Sequence, residues 1–387
     1  MTVSTDPKKI EEVLTRGVEK IFPNTEYLRG RLLSGQRLTL YHGVDPTGPT
    51  LHLGHAVPLR KLAQFQKLGH RTIFLIGGLT ATIGDPTDKM AERKKLTREQ
   101  VEENARLYKE QASHFISFEG ENPTEMKNNY DWLAPMSMGE TFTLMSNATY
   151  AQMIKRDMFQ KRLAEGKDIY AHEFMYPLLQ GYDSVKMDVD GEIGGNDQTF
   201  NMLVGRDLLK KYKGKEKFVV AVKLLVDPTG KKMGKTEGNM VAFTDEPTDA
   251  FGKIMSWPDT LMPLAYELCT DQDFKQGDPK EDKLHLAELI VGGYWGNDEA
   301  KRARENWEET FSKGGTPENI LEFKMQDGEL LSDLLLRAKT VSSKGEFRRL
   351  VNEGAISIDG TKVTEPNQLA HKGTVRVGKH RFIEITN

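Results

Sequence analysis

The sequence predicts an α/β chain: a doubly wound parallel sheet with a helical insertion, then a helical domain and a small α+β module. Three observations predict it. Short apolar runs end in glycine turns and lead into amphipathic stretches, the unit of a parallel sheet whose ligands bind at the carboxyl ends of its strands. A long central stretch rich in Glu, Lys, Met and Gln interrupts that alternation. The tail changes in charge: from Leu331 onward ten basic side chains stand against six acidic ones, in a chain of formal net charge -3.

In chain order, residues 6–33 read as an amphipathic helical lead-in. Residues 38–41 (Leu-Thr-Leu-Tyr) form a strand-like run ending in a Gly/Asp/Pro/Thr turn, and residues 56–68 carry Val57, Leu59, Leu62, Ala63 and Phe65 at helical spacing. A second strand, 72–76, runs into Gly77-Gly78 and a polar loop over 80–89. Residues 90–168 read as the helical insertion. Strand character returns at 184–189, before Gly194-Gly195-Asn196-Asp197-Gln198 and a helix. The next strand, 218–225, ends in Asp227-Pro228-Thr229-Gly230. Residues 248–311 read as helical, and 312–328, with Gly314-Gly315-Thr316-Pro317, as a linker. The expected domains are a Rossmann-like one over 1–245, a helical one over 246–325 and the small module over 329–387.

With 387 residues and 37% hydrophobic content, the chain can build two or three domains with real cores. The near-neutral total excludes a basic nucleic-acid coat, while a basic tail on an acidic body suits a polyanion held by one end. The lone Cys269 excludes internal disulfides and a cysteine-rich zinc site, and fits a reducing compartment. The start, MTVSTDPKKIEEVL, has no apolar core of a signal peptide, and its early acids argue against an organellar presequence. No apolar run approaches the roughly 18 residues of a membrane span. The expectation is a cytoplasmic protein without a membrane partner.

Two strings carry the chemistry. In His52-Leu53-Gly54-His55 the histidines are three apart, so both rings can face one ligand if they open a helix. Gly54 lets a flat base or a phosphate approach the backbone, and the helix N-terminus adds N–H groups and partial positive charge. An arbitrary pair of this spacing is more often a satisfied histidine pair. A zinc site needs three or four ligands, and no third lies nearby. The second string, Lys232-Met233-Gly234-Lys235-Thr236, sits between Gly230 and Gly238. Solvated charge is the usual fate of such lysines, but a mobile lysine clamp can grip a triphosphate as charge develops. Further on, Tyr176, Gln180 and Asp183 share one helical stripe among Met175, Leu178 and Leu179, where buried polar groups require partners.

Together these strings resemble the class I aminoacyl-tRNA synthetases, with HLGH for HIGH and KMGKT for KMSKS. Reading outward, the resemblance narrows to the tyrosyl-tRNA synthetases of bacterial type, on YHGVDPTGPTLHLGH (41–55), GGLTATIGDPTDK (77–89), NNYDW (128–132), YPLLQGYD (176–183) and GGNDQ (194–198). It implies that Tyr41 and Asp183 bind a substrate phenol, that Tyr176, Gln180 and Asp85 receive its ammonium group, and that Gln198 lies near its carboxylate. It further implies that His52, Gly54 and His55 surround ATP, with Asp45 and Thr47 on the same turn, Asp197 at the ribose, and Lys232 and Lys235 on the pyrophosphate. No covalent nucleophile is needed, because positioning and charge stabilisation suffice. Magnesium would travel with ATP, without a dedicated protein metal site. The implied partners are L-tyrosine, ATP and tRNA(Tyr), the helical domain would recognise the anticodon, and the chain would form a homodimer through its inserted helices. The sequence departs from the family pattern at Gly234 and Thr236, at Ala81, and at Thr199-Phe200 after GGNDQ.

In the tail, residues 330–336 and 341–350 predict two short helices, and 355–363 a hairpin around Asp359-Gly360. The pattern Ser-Lys-x-Glu-x-Arg-Arg-Leu resembles the αL RNA-binding motif of ribosomal proteins. Lys344, Arg348 and Arg349 would then line one helix face toward phosphates. Three alternatives stand beside a tyrosine–tRNA ligase: a tryptophanyl-tRNA synthetase, a small nucleotidyltransferase sharing the HxGH turn, and a non-catalytic RNA-binding or splicing relative. Asp183 with Tyr41 suits a phenol better than an indole. The basic tail argues against the second, and the retained histidines and lysines against the third.

Overall fold

β1 (Val18–Phe22), β2 (Thr39–Val44), β3 (Arg71–Ile76), β4 (Glu125–Asn128), β5 (Gly191–Gly195) and β6 (Phe218–Val222) form one sheet, in the order β1-β6-β5-β2-β3-β4. They are seen in a computed structural model that describes residues 2–86, 96–226, 240–312, 321–338, 340–341, 343–378 and 381–386. All pairs are parallel except β1 with β6. The sequence explains the arrangement. Parallel strands are buried on both faces, and β6 (Phe-Val-Val-Ala-Val) and β3 (Arg-Thr-Ile-Phe-Leu-Ile) are buried almost throughout. From β2 the sheet grows one way through β3 to β4, and the other way through β5 to β6. The β2/β5 boundary is therefore the topological switch point, and its carboxyl end is where a ligand crevice is expected.

The chain separates into two compact units, Met1–Glu246 with Lys253–Tyr294, and Pro247–Gly252 with Trp295–Asn387. The predicted α/β class holds, with three local differences. The lead-in is two helices, Pro7–Thr15 and Thr25–Leu33, with β1 between them. β1 is an edge strand, so exposed Glu19 and Lys20 look like the polar face of a helix, and Gly17 at φ +67 ends the first helix pattern. The stretch 90–168 contributes β4 to the sheet, pairing with β3. Residues 184–187, read as strand, are the last turn of the helix Tyr176–Met187. Alternating Val185, Met187 and Val189 mimic a strand. Close packing on the helix Thr199–Lys213 overrides them: a Cβ on Gly181 would lie 3.0 Å from the Gly205 nitrogen. The helix stops at Asp188, which adopts a left-handed conformation (φ 48).

In the second unit β7 (Leu321–Lys324), β8 (Ile356–Ile358), β9 (Thr361–Lys362), β10 (Gly373–Val377) and β11 (Arg381–Thr386) form a sheet in the order β7-β11-β10-β8-β9. The predicted hairpin is present: Asp359 (φ 48) and Gly360 (φ 80) join β8 to β9, two successive positive-φ residues as a tight two-residue turn requires. Helices Leu331–Arg337 and Lys344–Asn352 place Leu331, Leu335, Phe347 and Leu350 in one core with Ile356, Val375 and Ile383. Among the described residues no helix is long and apolar enough to cross a membrane.

Candidate active site

The switch point gathers most of the predicted residues. Tyr41 stands on β2 with 1% exposure, and Asp183 on the helix Tyr176–Met187 with 1%. Asp183 is held from two sides: Asn129 Nδ2 donates to Oδ2 at 3.1 Å and Trp132 Nε1 donates to Oδ1 at 2.8 Å. Burial pushes the Asp183 carboxyl well above the usual carboxylate range, and these two hydrogen bonds pull it back down. Burial, with the carboxylates of Glu192 and Asp183 nearby, raises the Tyr41 phenol. Tyr41 Oη lies 3.0 Å from Ser184 Oγ. Tyr41 packs with Ile73, Leu75 and Val189 in an apolar wall that Trp132 borders, within reach of the Asp183 charge.

A second cluster sits at the carboxyl ends of β2 and β3. Tyr176 donates to Asp45 Oδ2 at 2.8 Å, and Thr80 Oγ1 donates to Asp45 Oδ1 at 2.7 Å. Burial raises the Tyr176 phenol, and the charges of Asp45 and Asp85 raise it further. Gln198 Nε2 donates to Asp85 Oδ2 at 2.6 Å. Gly77 explains itself here, since a Cβ would fall 1.8 Å from Asp45 Oδ1. Gln180 Nε2 donates to Glu192 Oε1 at 3.3 Å, while its own buried Oε1 has no partner among the described residues. A buried acceptor left over in this way is what an ammonium group would satisfy. Asp197 occupies the short turn Asn196–Gln198 after β5, and Thr47 donates its N–H to the Asp45 carbonyl at 2.8 Å.

His52 caps the helix Leu53–Lys67, as the sequence suggested, and its ring lies 4.0 Å from that of His55. The two form a reciprocal capping box. Gly54 N–H donates to His52 Nδ1 at 3.0 Å, and His52 N–H donates to His55 Nδ1 at 3.2 Å. Since each Nδ1 accepts, this geometry assigns the ring proton to each Nε2, which can donate to a phosphate oxygen. Lys232, Lys235 and the rest of KMGKT lie outside the described residues. Where the described chain resumes it pairs with the histidine turn: Leu53 N–H donates to the Val241 carbonyl at 3.1 Å, and His52 bridges Ala242.

The family described as tRNA synthetases class I (W and Y) matches residues 33–312, and the S4 domain family matches residues 330–375. Curated relatives match nearly end to end. The tyrosine–tRNA ligase of Aquifex aeolicus is 40% identical over 98% of this chain and 99% of its own, and that of Desulfotalea psychrophila 42% over 91% of each. The chain belongs to the tyrosyl-tRNA synthetase family. Solved structures share the fold: a truncated Aspergillus nidulans mitochondrial tyrosyl-tRNA synthetase superposes with a TM-score of 0.66 at 20% identity, over 78% of this chain and 94% of that one. A tyrosyl-tRNA synthetase from Archaeoglobus fulgidus, complexed with L-tyrosine, gives 0.59 at 19% identity, over 77% and 99%.

Several further groups of this tyrosyl-tRNA synthetase family member lie around the two clusters without a motif of their own in the sequence. Asn129 and Trp132 belong to the NNYDW block, and nothing in the sequence ties them to Asp183, which lies 54 and 51 residues away. Glu192 and Lys217 are charges inside otherwise apolar strand patterns, and they pair with each other while 3% and 0% exposed. Arg156 lies over the Phe200 ring at 4.4 Å, its pKa lowered by burial against the pull of Asp85. In the S4 module Lys344, Arg348 and Arg349 are all exposed on the helix Lys344–Asn352; Lys344 pairs with Asp333 at 2.7 Å and Arg349 with Glu353 at 3.0 Å.

Proposed function

We propose that the chain is a tyrosine–tRNA ligase that activates L-tyrosine with ATP and transfers the tyrosyl group to the 3′ end of tRNA(Tyr). The observation that carries the reading is the buried Asp183, held by Asn129 and Trp132 beside the Tyr41 hydroxyl. In this reading the substrate phenol donates to Asp183 and accepts from Tyr41. Phenylalanine would leave both groups unpaired in a dry site, which is costly. Tyrosyl-tRNA synthetase is itself the standard example of this asymmetry, at about 10⁵-fold discrimination against phenylalanine.

The substrate ammonium sits among Tyr176, Gln180 and Asp85, with Gln198 toward its carboxylate, and the unpartnered Gln180 Oε1 supports this. That carboxylate attacks the α-phosphorus of ATP, the bond to the β-phosphate oxygen breaks, and pyrophosphate leaves. His52 and His55 donate through Nε2 to the phosphates across Gly54. Asp45 and Thr47 line the turn, Asp197 holds the ribose, and Lys232 and Lys235 take the pyrophosphate charge, with magnesium arriving as part of the ATP substrate. A terminal ribose hydroxyl of the tRNA then attacks the acyl carbon and AMP departs. Residues 246–325 would recognise the anticodon, and Lys344, Arg348 and Arg349 of the module over 329–387 would contact RNA phosphates.

The exposed apolar side chains Met138 (69%), Phe142 (61%) and Tyr150 (68%) on the inserted helices support a homodimer through that face. The proposed location is the cytoplasm. The test is amino-acid-dependent ATP–pyrophosphate exchange: tyrosine should support it, and a folded protein without tyrosine-dependent exchange would refute the reading.

A further inference from the structure

A lysine with 0% exposure sits against the proposed tyrosine pocket. Lys217 immediately precedes β6, and its ammonium pairs with Glu192 on β5 and donates to Ser184 Oγ at 2.9 Å. Ser184 Oγ is in turn 3.0 Å from Tyr41 Oη, and the ammonium stands 5.9 Å from the centre of the Tyr41 ring. Space is kept for this contact. A Cβ on Gly205 would lie 2.7 Å from Lys217 Nζ and 3.0 Å from Ser184 Oγ. Gln180 joins from the pocket side through its bond to Glu192.

Stability alone is a weak reason for this arrangement, because well-packed apolar residues in place of a buried ion pair are often neutral or stabilising. The hydrogen-bond inventory gives it a direction. Lys217 can only donate, so Ser184 accepts from it and keeps its own proton to give. The oxygen 3.0 Å away belongs to Tyr41. When Ser184 donates to Tyr41 Oη, the Tyr41 proton is turned toward another acceptor, and in this structure the buried Glu192 carboxylate that Lys217 holds also accepts a hydrogen bond from the hydroxyl. The ammonium also balances two carboxylates, Glu192 and Asp183, that are 3% and 1% exposed.

We infer that Lys217 is a positioning residue for amino-acid selection: by holding both Glu192 and Ser184 it fixes the Tyr41 hydroxyl in place for the phenol of the bound amino acid. The inference rests on the reading of this pocket as a tyrosine site. Its test is steady-state ATP–pyrophosphate exchange with Lys217→Met and Ser184→Ala, after thermal melts show that each is folded. Ser184→Ala keeps the ion pair and removes only the relay. It should raise KM for tyrosine about fivefold and narrow the preference over phenylalanine, with kcat and KM for ATP within about twofold of wild type. Lys217→Met should do the same by about tenfold or more. Should Lys217→Met not fold, Ser184→Ala decides alone. Wild-type KM for tyrosine and wild-type selectivity in folded Ser184→Ala would overturn the inference, as would an equal rise in KM for tyrosine and ATP. Absence of tyrosine-dependent exchange in the wild type would overturn the functional reading, and this inference with it.

Discussion

Tyr41 and Asp183 are each 1% exposed and bonded to the side chains of Ser184 and of Asn129 and Trp132 respectively, whereas His52 and His55, further along the same strand–helix unit, are half-buried and bond the backbone of their own turn. The proposed tyrosine end is thus part of the core. In the proposed reading the ATP end is the helix N-terminus at His52, with Lys232 and Lys235 as its predicted second jaw. Selection by unpaired polar groups needs a dry, rigid wall, while charge stabilisation of a departing pyrophosphate can use groups that close during the reaction. The proposed reading assigns the first task to the buried pair and the second to the half-buried histidine turn.

The sharpest way to break this contrast is at its buried end. Asp183→Ala should lower kcat/KM for tyrosine by about a thousandfold and abolish most of the preference over phenylalanine, because the phenol loses its buried acceptor. Unchanged selectivity in the exchange assay would remove Asp183 from the phenol contact.

The histidines separate the two ends next. His42 is buried on β2, its Nδ1 3.0 Å from the Ile193 carbonyl, and burial depresses its pKa to about 4. An unfolded histidine titrates near 6.5, so the unfolded state binds this proton first as pH falls. The associated stability is complete above about pH 6.5 and is lost on acidification toward pH 4, by up to about 3 kcal/mol. Urea midpoints of wild type and His42→Asn across pH 4–7.5 check this, and the variant should show the shallower acid loss. His52→Ala, at the half-buried end, should instead slow adenylate formation about a hundredfold and leave equilibrium tyrosine binding within about twofold of wild type. A comparable loss of tyrosine affinity would erase the division between the ends.

The smallest effect belongs to the S4 module. Arg348→Ala with Arg349→Ala should weaken tRNA binding several-fold and flatten its salt dependence by roughly two phosphate contacts, with pyrophosphate exchange untouched. Filter binding at several salt concentrations reads this, and an unchanged salt slope would contradict it.

The site was legible where chemistry and local geometry coincide. His52-Leu53-Gly54-His55 announces a helix start, and the i, i+4, i+7 stripe of Tyr176, Gln180 and Asp183 is helical in the structure. The groups that support them were not legible, because Asn129, Trp132, Glu192 and Lys217 meet only after β4, β5 and β6 are brought together. The same holds for β1 and β4, edge strands whose polar residues look like helix surface until the sheet gives them a partner. Residues 184–187 failed differently: strand-like alternation was real, but the Gly181–Gly205 contact fixed the helix.

The central claim, that a buried phenol-reading pocket makes this family member a tyrosine enzyme, is tested most directly by ATP–pyrophosphate exchange of the purified wild type with tyrosine, phenylalanine and tryptophan in parallel. Exchange should depend on tyrosine, with kcat/KM for phenylalanine lower by several orders of magnitude. Exchange supported equally by phenylalanine or tryptophan would contradict it.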